Sequence, residues 1–219
     1  STPIKSSAAS DVYKRQGLVG ISAFAVTDTY IYVVTNLNYK TYLERYCLEN
    51  DTIEKYVIED VIATDMCVCQ EKVYLFDEVS EDGKSYKVYC ADITSQSTRL
   101  VADVSSYYNK GEGFGFQVGY GKNIYFTHND EILKLNVETG KVKSIPLDCK
   151  EAFGAYIADG KLYVSSCDIF DIDSPADILI VDLSTDTVTQ SYHLETSVMQ
   201  FYVSKDHLSV LGSDNTLYI

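Results

Sequence analysis

From Gly17 onward, apolar and polar residues alternate with a period of two in short runs separated by polar turns. Aligned on itself, the chain shows five copies of one pattern: FAVTDTYIYV (24–33), MCVCQEKVYL (66–75), FQVGYGKNIYF (116–126), AYIADGKLYV (155–164) and FYVSKDHLSV (201–210). In each copy an apolar residue stands two before Val26, Val68, Val118, Ile157 or Val203, and Ile31, Val73, Ile124, Leu162 or Leu208 follows a polar turn. This periodicity, with its β-branched and aromatic residues, predicts pairs of strands. A second segment repeats in step: RYCLENDTIEK, YCADITSQSTR, LKLNVETGKVK and IVDLSTDTVTQ align on Leu48, Ile93, Val137 and Leu183. Each reads as strand, tight turn, strand, with the Asx, Gly and Ser chemistry that closes short hairpins. The unit is therefore four strands, a to d. The first is predicted near 22–27, 30–35, 42–48 and 53–58, and the fifth copy stops at NTLYI inside strand c.

Successive copies start 42, 50, 39 and 46 residues apart, which suits a four-stranded blade better than a two-helix solenoid unit. The repeats resemble β-propeller blades, and YVVTN (32–36) is similar to the YVTN type of some surface proteins. There is no WD dipeptide, no kelch-like Gly-Gly doublet and no Trp, so those subfamilies do not fit. The fold expected is all-β: a β-propeller fragment of about four and a half four-stranded antiparallel blades over 17–219. The blades fall at approximately 17–60, 61–104, 105–148 and 149–196, with an incomplete one at 197–219. A half blade fits a piece of a six- to eight-bladed ring more easily than a closed four-bladed one. Residues 1–16 stand apart, with Lys5, Lys14 and Arg15 against one acid, Asp11, and no apolar period. SSAASDVYKRQ resembles the translated adapter read-through found at the ends of metagenomic contigs; the alternative is a native, disordered tail.

Composition narrows the partners. A net charge of -14 and a pI near 4.5 argue against nucleic acid, whose binding needs clustered Lys and Arg. No window approaches the roughly 18 consecutive apolar residues of a membrane-spanning helix. Compartment stays open, with export or cell-envelope association among the alternatives.

Recognisable catalytic chemistry is sparse. His128, His193 and His207 fall in a b-to-c turn, near a strand d end and in an a-to-b turn, with no pair at metal spacing. No G-x-S-x-G elbow, Walker loop or HExxH occurs. GEGFG (111–115) precedes a strand rather than a helix, so no helix N-terminus would meet a phosphate. Cys67 and Cys69 lie two apart on one strand and read as packing. Cys47 takes the place of Asp92, Asn136 and Asp182 in the other copies, and neighbouring blades hold such positions too far apart for a disulfide. Six free thiols are expected.

Strands running up and down in turn put the a-to-b and c-to-d turns on one rim and the b-to-c and d-to-a connections on the other. The first set is nearly constant in length. In the second, strand b and c anchors are 17, 20, 13 and 21 residues apart, and the step from Ile93 to Val118 is 25 where its counterparts are 20. Such variation on one rim is the pattern of binding loops on a rigid scaffold. Its largest excursions are SSYYNKGEGF (105–114), with Tyr107 and Tyr108, and SCDIFDIDSPAD (166–177), with Asp168, Asp171, Asp173 and Asp177. The tyrosines could stack on a sugar or an aromatic partner, and the carboxylates are candidate Ca²⁺ ligands, although their spacing is not that of an EF-hand. No other cofactor is expected. The reading is a noncatalytic binding or scaffold module whose partner at this rim is a protein, a carbohydrate or a small molecule. The alternative is a propeller hydrolase or lyase with catalytic residues partly in further blades.

Overall fold

A computed structural model describes residues 20–78, 85–108, 115–128, 130–149, 151–168, 171, 174–204 and 207–219. The leader 1–16 and Asp173 lie outside the described residues, as does most of GEGFG. Among the described residues, nineteen strands form five antiparallel sheets. The first holds β1 (Ile21–Val26), β2 (Tyr30–Leu37), β3 (Lys40–Cys47) and β4 (Ile53–Ile58). The second holds β5 (Ala63–Cys69), β6 (Lys72–Asp77), β7 (Lys87–Asp92) and β8 (Ser97–Asp103). The third is β9 (Gln117–Tyr120), β10 (Asn123–His128), β11 (Glu131–Asn136) and β12 (Val142–Pro146); the fourth is β13 (Glu151–Ala158), β14 (Lys161–Cys167), β15 (Ala176–Asp182) and β16 (Thr187–Leu194). The fifth has β17 (Val198–Val203), β18 (Leu208–Gly212) and β19 (Leu217–Tyr218). The architecture is all-β and blade-like, with one 3-10 turn, Ser105–Tyr107, and no α-helix among the described residues.

Within each sheet every strand pairs with its chain neighbour, so each unit is a meander from strand a to strand d. The repeated turns explain the hairpins. Asp92 Oδ1 accepts the N–H groups of Thr94 and Ser95 at 2.9 and 3.0 Å, and Asp182 Oδ1 those of Ser184 and Thr185 at 2.8 and 3.3 Å. Asn136 does the same for Glu138 and Thr139 at 3.2 and 2.9 Å. These Asx turns satisfy backbone groups that the ladder leaves over. Cys47 cannot accept in this way, and in the first sheet Asn50 Oδ1 takes the Thr52 N–H instead at 3.1 Å.

The apolar residues of each sheet meet those of the next, giving four cores, one per seam. Val34 and Leu43 pack with Met66 and Leu75; Phe76 meets Phe126 edge-on at 5.5 Å; Ile132 and Ile145 pack with Leu162 and Leu179; Ile178 packs with Val198 and Val210. Each fully buried side chain of this size contributes on the order of 1.5–3 kcal/mol. All six cysteines are free, and five are buried within this packing. The a strands succeed one another along one side and run in the same direction. A Cβ on Gly119, late in β9, would lie 2.5 Å from the Val68 carbonyl, late in β5, so only glycine permits that approach. A Cβ on Gly115, just before β9, would lie 3.3 Å from the Ala152 carbonyl, early in β13. Ends meet ends and starts meet starts. At the two extremes the arc is bare: Phe24 is 68% exposed and its repeat equivalent Met66 only 4%, while Met199 on the last sheet is 64% exposed.

Candidate functional site

Parallel a strands place the b-to-c and d-to-a connections on a common rim, and hydrogen bonds join them directly. In the second sheet Val104 N–H donates to the Tyr86 carbonyl at 2.8 Å, and Tyr86 N–H to the Ser105 hydroxyl at 2.9 Å. Asp103 Oδ1 accepts from Ser105 N–H at 3.0 Å and its hydroxyl at 2.6 Å, and these bonds, the hydroxyl's first, hold the Asp103 carboxyl below its usual range. Between the first two sheets Asn36 Nδ2 donates to the Ala63 carbonyl at 2.7 Å, and the Thr41 hydroxyl accepts the Ala63 N–H at 2.9 Å. This rim therefore rests on satisfied, largely buried backbone.

Tyr108 is interior. It is 8% exposed, stacks on Tyr86 with ring centroids 4.4 Å apart, meets His128 edge-on at 4.8 Å, and donates its hydroxyl to the Thr127 carbonyl at 2.8 Å. It carries the 104–116 connection onto the third sheet and offers no face for stacking a sugar. Tyr107, beside it, is half-buried against the same core and keeps part of its ring accessible.

In the fourth sheet the acidic excursion turns twice. Asp171 N–H donates to the Asp168 carbonyl at 3.1 Å and Ser174 N–H to the Asp171 carbonyl at 2.9 Å, while the Ser174 hydroxyl lies 3.3 Å from both the N and the O of Asp168. Asp168 is half-buried and Asp171 exposed. Asp177, on β15, pairs across the ladder with His193, whose Nδ1 lies 2.9 Å from its Oδ1. That hydrogen bond, more than the accompanying charges of Asp177 and Glu195, raises the His193 pKa above its ordinary value. Among the described residues no three His, Cys, Asp or Glu side chains converge as metal ligands would. Asp168, Asp171 and Asp177 lie on the same rim, and Asp173, the fourth of the expected ligands, lies outside the described residues.

Two rim residues lie outside the sequence expectation. Asn38 and Tyr39 form a two-residue turn between β2 and β3 with φ of 53° and 61°, a geometry that favours glycine, and Tyr39 is 85% exposed. A large aromatic residue at such a φ, held in solvent, is an unusual use of a turn position. His193 was visible as a histidine near a strand end, but its partner depends on the register of β15 with β16. Neither signal follows from periodicity alone.

No protein-family model matches the chain and no curated protein does. Solved structures match the fold. TolB from Acinetobacter baumannii is 14% identical with a TM-score of 0.57, over 90% of this chain and 53% of that one. The extracellular domain of the hybrid two component system BT4673 from B. thetaiotaomicron is 14% identical with a TM-score of 0.58, over 90% of this chain and 26% of that one. Cobalt-substituted Synechocystis ACO is 13% identical with a TM-score of 0.50, over 80% of this chain and 50% of that one. The first two are β-propeller-type folds. The chain spans about half the length, or less, of the structures it matches.

Proposed function

We propose that the protein is a noncatalytic binding module that presents its b-to-c and d-to-a connections to a protein, carbohydrate or small-molecule partner. The observation that supports this reading is the confinement of length variation to one rim, where 78–86, 104–116 and 168–175 are longer than neighbours as short as 38–39. Tyr39, Tyr107, Asp168, Asp171 and Asp177 are among the described side chains there with accessible surface. Tyrosine rings suit the apolar faces of a sugar, and carboxylates its hydroxyl edges.

Calcium binding by Asp168, Asp171, Asp173 and Asp177 is a separable part of the proposal, tested by calorimetric titration with CaCl₂ and by melting temperature with and without the ion. Absence of both heat and stabilisation eliminates it. For the rim itself, a carbohydrate array probed with the wild type and with Tyr39→Ala and Tyr107→Ala is the direct experiment. Binding that survives both substitutions together moves the site elsewhere. A hydrolase or lyase reading draws no support from His193, because its second ring nitrogen has Glu195 3.9 Å away as its ion-pair partner rather than a nucleophile.

A further inference from the structure

The first and third seams are built on the same strand positions, and they end differently at the rim of the a-to-b and c-to-d turns. In the third seam Tyr125 on β10 pairs with Lys134 on β11, which pairs with Lys143 on β12. The next sheet sends in Asp186, the last residue of its c-to-d turn, whose Oδ1 lies 2.7 Å from the Lys134 ammonium and Oδ2 2.8 Å from that of Lys143. Its side chain is only 10% exposed, so a carboxylate fills the seam. In the first seam Tyr32 on β2 pairs with Arg45 on β3, which pairs with Glu54 on β4. The turn residue equivalent to Asp186 is Gln96, with the same left-handed backbone (φ 50° against 57°), and it is exposed. A cleft of about 250 Å³ remains in front of Arg45.

We propose that this cleft binds a small carboxylate-bearing molecule, whose carboxylate takes beside Arg45 the place that Asp186 takes beside Lys134. The site lies on the rim opposite the variable loops and is independent of the function proposed for them. Its walls are Tyr32, Arg45, Gln70, Glu71, Lys72 and Thr94. Arg45 is oriented by Glu54, whose Oε2 accepts from its Nε at 2.7 Å and also meets its Nη2, by Nη2 donation to the Thr94 hydroxyl at 3.0 Å, by a hydrogen bond with Tyr32, and by the Tyr30 ring, whose centroid lies 4.8 Å away. A guanidinium has five N–H donors in a planar fork, so an anchored Arg45 still has capacity for a carboxylate. Lys72 supplies a second cation. Of the two acids in the lining, Asp92 is committed to the N–H groups of its own turn. Glu54, already ion-paired with Arg45 where the third seam has Lys143, and Glu71 in the lining are the internal competitors, and they set the site for weak, ionic-strength-dependent binding. The volume admits a molecule no larger than a single sugar acid or amino acid.

The test is a titration of the ¹⁵N-labelled chain with sodium glucuronate at low ionic strength, with glucose as the uncharged control. Saturable amide shifts at Gln70, Glu71 and Thr94 are expected with glucuronate and not with glucose. Arg45 also holds two strands together, so the deciding variants are Lys72→Gln, expected to weaken binding about threefold, and Glu71→Gln, expected to tighten it by a similar factor. The absence of saturable shifts up to about 50 mM overturns the proposal, since weaker affinity is of no use at ordinary metabolite concentrations. Equal response to glucose overturns it too, as do shifts confined to the variable rim or affinities that Glu71→Gln leaves unchanged.

Discussion

On one rim the c-to-d turns repeat a single geometry: Asp51, Gln96, Gly140 and Asp186 occupy the same position with φ of 57°, 50°, 70° and 57°. On the other, connections run from the pair 38–39 to the long 104–116. The constant rim is joined across seams by side chains. Arg45 reaches Thr94 at 3.0 Å, Arg99 the Val137 carbonyl at 3.5 Å, and Lys134 reaches Asp186 at 2.7 Å, each from one sheet to the turn of the next. The variable rim is joined by backbone and buried aromatic groups, as at Tyr86, Tyr108 and Thr127. Charged tethers fix spacing with little apolar area, whereas buried rings fix a loop's base and leave its tip to vary. A repeat protein can therefore diversify one rim while the other keeps the sheets in register.

Removing the base of the variable rim should cost most. Tyr108→Ala deletes a stacked, 8%-exposed ring and is expected to lower stability by about 3–4 kcal/mol in urea unfolding, with Tyr108→Phe, which loses only the bond to Thr127, costing about 1 kcal/mol. If the alanine variant unfolds with the wild type, the rim is not anchored there.

Next comes the tether of the constant rim. Asp186→Ala leaves two lysines facing each other, and about 2 kcal/mol is expected, less than a fully buried pair would cost because Lys143 is 61% exposed. Burial by itself works to raise the Asp186 pKa, but the hydrogen bonds from Lys134 and Lys143 outweigh it and hold the carboxyl below its ordinary value. A depressed carboxylate stabilises the folded state above the unfolded pKa, near 4, and that contribution is lost as pH falls through the folded value. Melting curves from pH 7 down to 3 should therefore show a steeper loss for the wild type than for Asp186→Asn. Parallel curves would mean that the third seam does not depend on charge.

The fold was legible because its signals are local. Alternation and Asx turns mark strands wherever they occur, and the expected first unit agrees with β1 to β4 within one or two residues at most ends. The constant rim's Asp92, Asn136 and Asp182 could be aligned by eye, and Cys47 stood out as the exception. Site chemistry was less legible, since it depends on which side chains meet between sheets. YY at 107–108 reads as two equivalent rings, yet chain direction after the 3-10 turn buries Tyr108 and leaves Tyr107 half-buried. The substitution of Gln96 for Asp186 is plain in the repeat alignment, but only packing reveals that one fills a seam and the other opens a cleft.

Tyr39 offers a smaller effect of opposite sign. Its φ of 61° costs a side-chain-bearing residue about 1 kcal/mol that glycine does not incur. Tyr39→Gly should then raise the melting temperature slightly while removing the most exposed aromatic among the described residues of the variable rim. A variant that is destabilised instead would show that the ring makes contacts in solution that outweigh its backbone strain.

The smallest effect separates the two rims electrostatically. His193 and Asp177 are both well exposed, at 58% and 43% of their side chains, while the Asp186 side chain is 10% exposed. His193 titrates above its ordinary value chiefly through the hydrogen bond it donates to Asp177, so whatever stability the pair adds is complete below the unfolded pKa, near 6.5, and fades as pH rises through the folded one. Screening by salt acts strongly on solvent-exposed charges and weakly on buried ones. An NMR titration of His193 should give a raised pKa at low salt that falls back toward 6.5 in about 1 M NaCl, and Asp177→Asn should remove most of the low-salt elevation, leaving the part due to Glu195. The Asp186 carboxyl, followed in the same samples, should keep most of its depression. Should both groups lose their shifts together, the Asp186 seam is wetter than its packing implies, and the contrast between a tethered rim and an adaptable one weakens to a difference in loop length.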